Sequence, residues 1–343
     1  MSIDLYFEFV VLGLFRVSGL PYNYMEIQKK STSHIHAVRI GNTPVDGGTR
    51  AFSLEIGGQN CLPFHHFEGT YPNRPIVAWE VTDVRPHDWC DTAAEPYLDV
   101  LDEPIAWARS VVERRGARLI CLTLRGTHPD RENRSGAEAA ELVTRLLREV
   151  NVPLIIKGAG PGEKQNQVLS ACAEAAQGER CLLASAVEEH YKTPVASAMA
   201  YGHAVIAETP IDVNLCKQLN ILISDLHFPP DRIVIDPLTG GLGYGMEYTY
   251  SVMERIRLQA LDGDAMMQMP FICFVGQEVW KVKEVKVPEE KEPLWGDRKK
   301  RGILWEIATA ASLLYAGADI LVMRHPDAIA AVEKTIDELM VKT

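Results

Sequence analysis

The chain has 343 residues, 47% apolar and 24% charged, which is the balance of a globular protein long enough to bury a large core. With 35 Lys and Arg against 46 Asp and Glu, the formal net charge of −11 speaks against a nucleic-acid backbone as partner. Seven cysteines, none in CxxC or CxxxC spacing, write no local zinc or iron–sulfur clip and fit a reducing cytoplasm.

Residues 1–33 read as a poorly ordered N-terminal extension. Their apolar run, 9–15, is too short to cross a bilayer, and Asp4 and Glu8 precede it where a signal peptide carries basic residues. Neither export nor a membrane anchor is expected, so the localisation is read as cytoplasmic. Residues 34–75 form an N-terminal hairpin segment: runs 34–40 and 51–56 flank the turn-forming Val45-Asp46-Gly47-Gly48. The hairpin precedes the main body of the chain, capping its bottom or touching a partner. His65 and His66 lie side by side; in an extended segment their side chains point to opposite faces, so structural roles are expected rather than a shared metal ion.

From residue 76 to the end, apolar β-rich runs alternate with helical spacing. The runs are 76–81, 119–124, 153–156, 181–184, 204–207, 233–235, 271–275 and 320–323, each almost continuously apolar, as parallel strands buried on both faces are. Helical segments are predicted at 104–116, 136–150, 163–177, 194–201, 212–225, 247–261, 302–317 and 327–340. In 137–150 the stripe Ala140, Val143, Leu146 and Leu147 repeats at three and four, the pattern of a helix face packed on a sheet. Gly116, Gly178, Gly202 and Gly317 stand at helix exits. Eight β-then-α units over residues 76–343 predict an α/β protein with a TIM (β/α)8 barrel. A doubly wound open sheet is the alternative. The count of eight and the lack of a GxGxxG turn after the first strand favour the barrel.

Two strand-to-helix connections are long, 83–103 and 280–301, and both fall on the C-terminal face where barrels carry their chemistry. The second mixes charge with Pro288, Pro293 and Trp295, which favours a docking surface over a solvated flap. Strand ends on that face present Glu80, Asp83, Arg125, Lys157, Ser185, Glu208, Asp236, Gln277 and Arg324. Such a mixture binds a polar ligand or forms internal ion pairs, and the sequence leaves both open. His325, a lone histidine at a strand end, is expected to be structural, and Cys121, Cys181 and Cys273 to be core thiols.

No GxSxG elbow, HExxH pair or motif-placed Cys arms a nucleophile. The stretch DPLTGGLGYG, residues 236–245, lacks the GK[ST] ending of a P-loop and fails GxGxxG spacing. It begins where the sixth barrel strand ends and leads into a helix, so its amides can grip amide or phosphate groups on the functional face.

Long stretches of the chain resemble one family: DGGTR at 46–50, LPFHHFEG at 62–69, NRP at 73–75, LCKQLNILI at 215–223, IDPLTGGLGYGMEYTYSVMERIRLQAL at 235–261, RGILWE at 301–306 and MRHP at 323–326. From about residue 35 onward the chain is similar to the small subunit of the corrinoid/iron–sulfur protein, equivalent to the delta subunit of the acetyl-CoA decarbonylase/synthase complex. The resemblance implies a TIM barrel paired with a large subunit as a heterodimer. It further implies a corrinoid (cobamide) at their interface and a four-iron four-sulfur cluster in the partner, not in this chain. It implies a non-catalytic carrier that takes methyl from methyltetrahydrofolate, or an archaeal analogue, through a methyltransferase. The implied delivery is to acetyl-CoA synthase/CO dehydrogenase in the reductive acetyl-CoA pathway. On this reading the corrinoid site is the loop Thr239, Gly240, Gly241, Leu242, Gly243 and Tyr244, with Asn214 for a corrin amide. Asp236 is a further candidate, or else a brace for the loop. One alternative is a pterin-dependent methyltransferase holding methyltetrahydrofolate with Glu80, Asp83, Asn214 and Asp236. Another is a scaffold that only docks the methyltransferase and the synthase.

Overall fold

The computed structural model describes residues 31–240, 242 and 245–341; the apolar run 9–15 lies outside them. Strands β1 (Val38–Ile40) and β2 (Leu54–Ile56) pair antiparallel with Val38 opposite Ile56 and Ile40 opposite Leu54. Their turn holds a short 3-10 helix, Pro44–Asp46, so the expected hairpin forms with a longer loop than a two-residue turn. The remaining strands are β3 (Ile76–Thr82), β4 (Ile120–Thr123), β5 (Leu154–Lys157), β6 (Leu182–Ala186), β7 (Ala204–Glu208), β8 (Ile233–Asp236), β9 (Phe271–Cys273) and β10 (Ala318–Met323). They pair in parallel in chain order, and β10 returns to pair with β3, closing the ring. The barrel predicted from eight units is the observed fold.

Helices alternate with the strands. Between β3 and β4 come α1 (Asp91–Ala94) and α2 (Pro104–Arg115), and then α3 (Gly136–Glu149), α4 (Gly162–Ala175), α5 (Lys192–Tyr201), α6 (Val213–Asp225) and α7 (Glu247–Leu261). The series ends with α8 (Val275–Val279), α9 (Arg298–Tyr315) and α10 (Pro326–Met340). Local chemistry explains the bounds. Helix α3 starts with a capping box, in which the Ser135 hydroxyl accepts the Glu138 amide and the Glu138 carboxylate accepts the Ser135 amide. It buries Ala139, Val143, Leu146 and Leu147, so the stripe begins one residue earlier than the Ala140 expected. Gly116 ends α2 and Gly202 ends α5, both in the left-handed region at φ +71° and +83°.

The structure corrects the sequence reading at β9. That strand stops at Cys273 because Val275 to Val279 turns helical, which places Gln277 on α8 rather than at a strand end. Helix α9 starts at Arg298, where the Asp297 carboxylate accepts the Lys300 amide at 2.7 Å, so the basic run expected in the loop is a first helical turn. Both long connections are anchored. In the first, Trp89 packs edge-on to Trp107 with ring centroids 5.6 Å apart, and Tyr97 packs on Trp107 at 5.1 Å. In the second, Arg301 donates to the carbonyls of Glu284 at 2.6 Å and Gly296 at 3.0 Å, and its guanidinium lies over Trp295.

The hairpin caps the barrel's bottom. Val38, Ile40, Leu54 and Ile56 pack in one cluster with the inward-facing Ile76, Leu119, Ile155, Leu182, Ile206 and Ile320. Arg50 latches it there. Buried at 1% exposure, Arg50 donates to the Glu179 carboxylate at 2.8 Å and to the Val150 and Val152 carbonyls, while Glu179 also accepts the Thr49 amide and hydroxyl. The adjacent histidines have separate structural contacts: His65 contacts Glu68 within its own turn at 3.2 Å, and His66 Nε2 contacts the Leu339 carbonyl of the last helix at 2.9 Å. All seven cysteines are free, and Cys121, Cys181 and Cys273 are buried. Among the described residues no helix is long and apolar enough to cross a membrane.

Glu179→Leu should lower unfolding free energy by about 3–5 kcal/mol in urea titration, because it leaves the buried Arg50 cation without its carboxylate. A loss below about 1 kcal/mol would show that the carbonyl partners of Arg50 suffice on their own.

Candidate functional site

The strand C-termini converge on a mouth cavity of about 410 Å3. Seven of the nine strand-end residues picked out from the sequence line it: Glu80, Arg125, Lys157, Ser185, Glu208, Gln277 and Arg324. The structure adds Trp89, Trp280 and Lys286 from the long connections and His128 and Arg131 from the β4–α3 connection, which sequence spacing alone did not bring to the same place.

A belt of buried charge runs along one side. Glu80, at the end of β3 and 3% exposed, accepts the Thr123 hydroxyl at 2.9 Å and Arg324 Nε at 2.5 Å. The Arg324 guanidinium lies 4.4 Å over the Trp89 ring. Burial pushes the Glu80 carboxyl up, but Arg324, Thr123 and Lys157 together hold it below the usual carboxylate value. Glu306, fully buried on α9, accepts the backbone amides of Arg324 at 2.8 Å and His325 at 3.1 Å, and burial raises it to about 7. Sequence reading missed Glu306. Its signal is a carboxylate on the helix face that also buries Gly302, Ala310 and Leu313. His325 caps α10, accepting the Asp327 amide at 3.2 Å, and burial lowers it to about 4, which is a structural role.

Two of the nine lie off the cavity. Asp83 is 3% exposed and accepts the Gly126 amide at 3.0 Å, and burial raises its pKa. Asp236, 1% exposed at the end of β8, pairs across the ladder with Glu208 of β7. Its Oδ1 accepts the Leu238 amide at 2.9 Å, and burial followed by the Glu208 charge raises it to about 7.

That contact places Asp236 beneath the glycine-rich loop. Leu238 takes a left-handed φ of +57°, and its carbonyl accepts the Thr249 hydroxyl of α7 at 3.0 Å. Thr239 is 2% exposed. A Cβ added at Gly240 would meet nothing within 4 Å, so that position faces open space. Leu242 joins Met246, Trp295, Leu304 and Trp305 along a largely apolar groove of about 650 Å3 between α7 and α9. Gly241, Gly243 and Tyr244 lie outside the described residues. Asn214 is exposed in the first turn of α6, one residue inside the helix rather than in the connection before it, with its backbone N–H donated to Asp212 Oδ1 at 2.7 Å. Among the described residues no group of three or more His, Cys, Asp and Glu is placed to hold a metal ion.

The raised Asp236 carboxyl has a pH signature. Between its unfolded pKa near 4 and its folded value of about 7 the native state holds the extra proton, so stability falls as pH rises through that window. Asp236→Asn removes that slope. The stability difference between variant and parent, measured by urea unfolding, should shift toward the variant from pH 4 to pH 8 by a few kcal/mol, about 4 at most. A pH-independent difference would show that Asp236 ionises normally.

The family described as CdhD, CO dehydrogenase/acetyl-CoA synthase delta subunit, matches residues 37–336. The chain is 38% identical over 310 residues to the acetyl-CoA decarbonylase/synthase complex subunit delta of Archaeoglobus fulgidus, covering 89% of this chain and 68% of that one. It is 39% identical over 313 residues to subunit delta 1 of Methanosarcina thermophila, covering 90% and 71%. A dihydropteroate synthase from Xanthomonas albilineans superposes with a TM-score of 0.54 at 13% identity, over 80% of this chain and 97% of that one, which establishes the shared barrel fold. By sequence across the whole barrel, the chain belongs to the CO dehydrogenase/acetyl-CoA synthase delta subunit family.

Proposed function

We propose that this chain is the barrel subunit of a corrinoid/iron–sulfur protein within an acetyl-CoA decarbonylase/synthase complex, a methyl carrier and not itself the methyltransferase. The observation that carries the reading is continuous family similarity over residues 37–336, from the hairpin to the last helix. A large subunit bearing the four-iron four-sulfur cluster is the proposed partner. The cobamide is held between that subunit and the rim of this barrel. When bound, the cobamide supplies the cobalt that accepts a methyl group from the pterin-linked donor and releases it to the synthase.

The rim fits such a group. Gly240 has free space around it, and Leu242 opens onto the apolar groove beside Trp295, a surface able to pack a flat macrocycle. Asp236 and Thr249 fix Leu238, so the entry to the loop is held from its base. Thr239 to Tyr244 are the proposed contact loop, and Asn214, exposed at the start of α6, offers an amide. The strand thiols are not ready nucleophiles: burial raises Cys121 to about 12 and Cys273 well above its ordinary value. The alternative of a methyltransferase using Glu80, Asp83, Asn214 and Asp236 on the pterin gains no support, since of the four only Glu80 lines the mouth cavity, and it is already bonded to Thr123 and Arg324.

Co-expression with the candidate large subunit tests the proposal, with cobalt content and the cobamide absorption spectrum as readouts. The complex should retain cobamide. Gly240→Phe should lower its content about tenfold while the melting temperature stays within about 3 °C, because the new side chain enters open space. Failure to form the complex, or a cobamide spectrum indifferent to this chain, would overturn the reading.

A further inference from the structure

The mouth cavity carries a charge pattern that the corrinoid reading does not use. Six Lys and Arg side chains line it against three carboxylates, in a chain whose net charge is −11. Part of that charge is already compensated. Arg324 is paired with Glu80, and Arg125 with Asp88 at 2.5 Å; Arg131 lies 3.8 Å from the same Asp88. Lys157 and Lys286 are different, since among the described residues neither makes an ion pair. The Lys157 ammonium, at the end of β5, sits 3.3 Å above the centre of the Phe274 ring, where one face is desolvated and the other opens to the cavity. Of its acidic neighbours, Glu80 is committed to Arg324, and Asp236, raised to about 7, is only partly ionised near neutrality.

Directly after Lys157 the chain reads Gly158-Ala159-Gly160-Pro161-Gly162 and enters α4. Gly158 donates its amide to the Ala184 carbonyl at 2.9 Å. The next two amides, of Ala159 and Gly160, take no protein acceptor among the described residues, and both residues line the cavity. Two of the glycines have packing reasons of their own: Gly160 needs its φ of +105°, and a Cβ on Gly162 would strike the His190 ring. Neither reason accounts for a lysine without an ion pair beside free amides in the barrel mouth, a combination suited to an oxyanion.

We propose that the barrel mouth binds a small molecule bearing a phosphate or carboxylate group, held by Lys157 at the floor, Arg131 and Lys286 at the wall and the Ala159–Gly160 amides above. The site lies inside the barrel, apart from the glycine-rich rim loop proposed for the corrinoid.

The full chain, without partner or cobamide, is titrated with pyrophosphate and with citrate at low ionic strength, by calorimetry and by the fluorescence of Trp89 and Trp280. Saturable binding is expected for at least one probe, weakening steeply with added salt. Lys157→Met should weaken it about tenfold or more, and Lys334→Met, on the outer helix α10, should leave it unchanged. Arg131→Met makes the same comparison at the wall should Lys157→Met fail to fold. Absence of saturable binding up to about 10 mM of both probes, or equal affinity in the Lys157 and Arg131 variants, would overturn the proposal. Cobamide retention enters neither readout, so this result is independent of the corrinoid reading.

Discussion

Pairing of β10 with β3 is the contact on which the molecule depends. It sets Ile320 opposite Ile76 and Met323 opposite Trp79, and it turns an open sheet with two exposed edges into a ring with none. Closure also fixes which way each side chain points. Ile76 and Ala78 face the barrel interior, while Val77 and Trp79 face the surrounding helices. One step further along the same two strands come Glu80 and Arg324, 244 residues apart in the chain and bonded at 2.5 Å. The ion pair at the mouth is therefore a product of ring closure.

The two ends of the barrel are finished differently. At the bottom, the apolar face of the hairpin fills the opening, and Arg50 bonds outward to Glu179 and to carbonyls, so its own buried charge is compensated beside the plug. At the top the strand ends are polar. Glu306, Arg324, Glu80 and Thr123 form a chain of contacts that satisfies charge on one side, while the β5–α4 and β8–α7 loops leave amides and space on the other. That asymmetry suits a barrel whose lower end is concerned with stability and whose upper end receives ligands and partners.

Much of the fold was legible in the order of residues. Continuous apolar runs marked the strands because both faces of each are buried, and three-four spacing marked the helices. Errors fell where local chemistry overrode the pattern. Phe271 to Val275 is apolar throughout, yet α8 begins inside it, and apolarity alone does not distinguish a buried strand from a buried helical turn. The basic run at Arg298 looks like loop until Asp297 is seen to cap it. At the site, strand-end positions were legible because barrel geometry puts them on one rim. Trp89, Trp280 and Lys286 were not, since they arrive on long connections whose paths are set by packing against Trp107 and by Arg301.

The barrel, its hairpin and its family are written in the sequence alone, because hydrophobic period and long shared stretches need no coordinates to be read. Which charges are paired and which are free is a matter of tertiary structure. Glu80 and Lys157 are equally polar strand ends in the sequence, but closure gives Glu80 an arginine and gives Lys157 only the face of Phe274. The same holds at DPLTGGLGYG. Its glycines were visible from the start, whereas the brace from Asp236 to Leu238 and the open space at Gly240 depend on where β8 ends against its neighbours. Partnering between groups distant in the chain is a property of the closed ring, and so it is absent from any local stretch of residues.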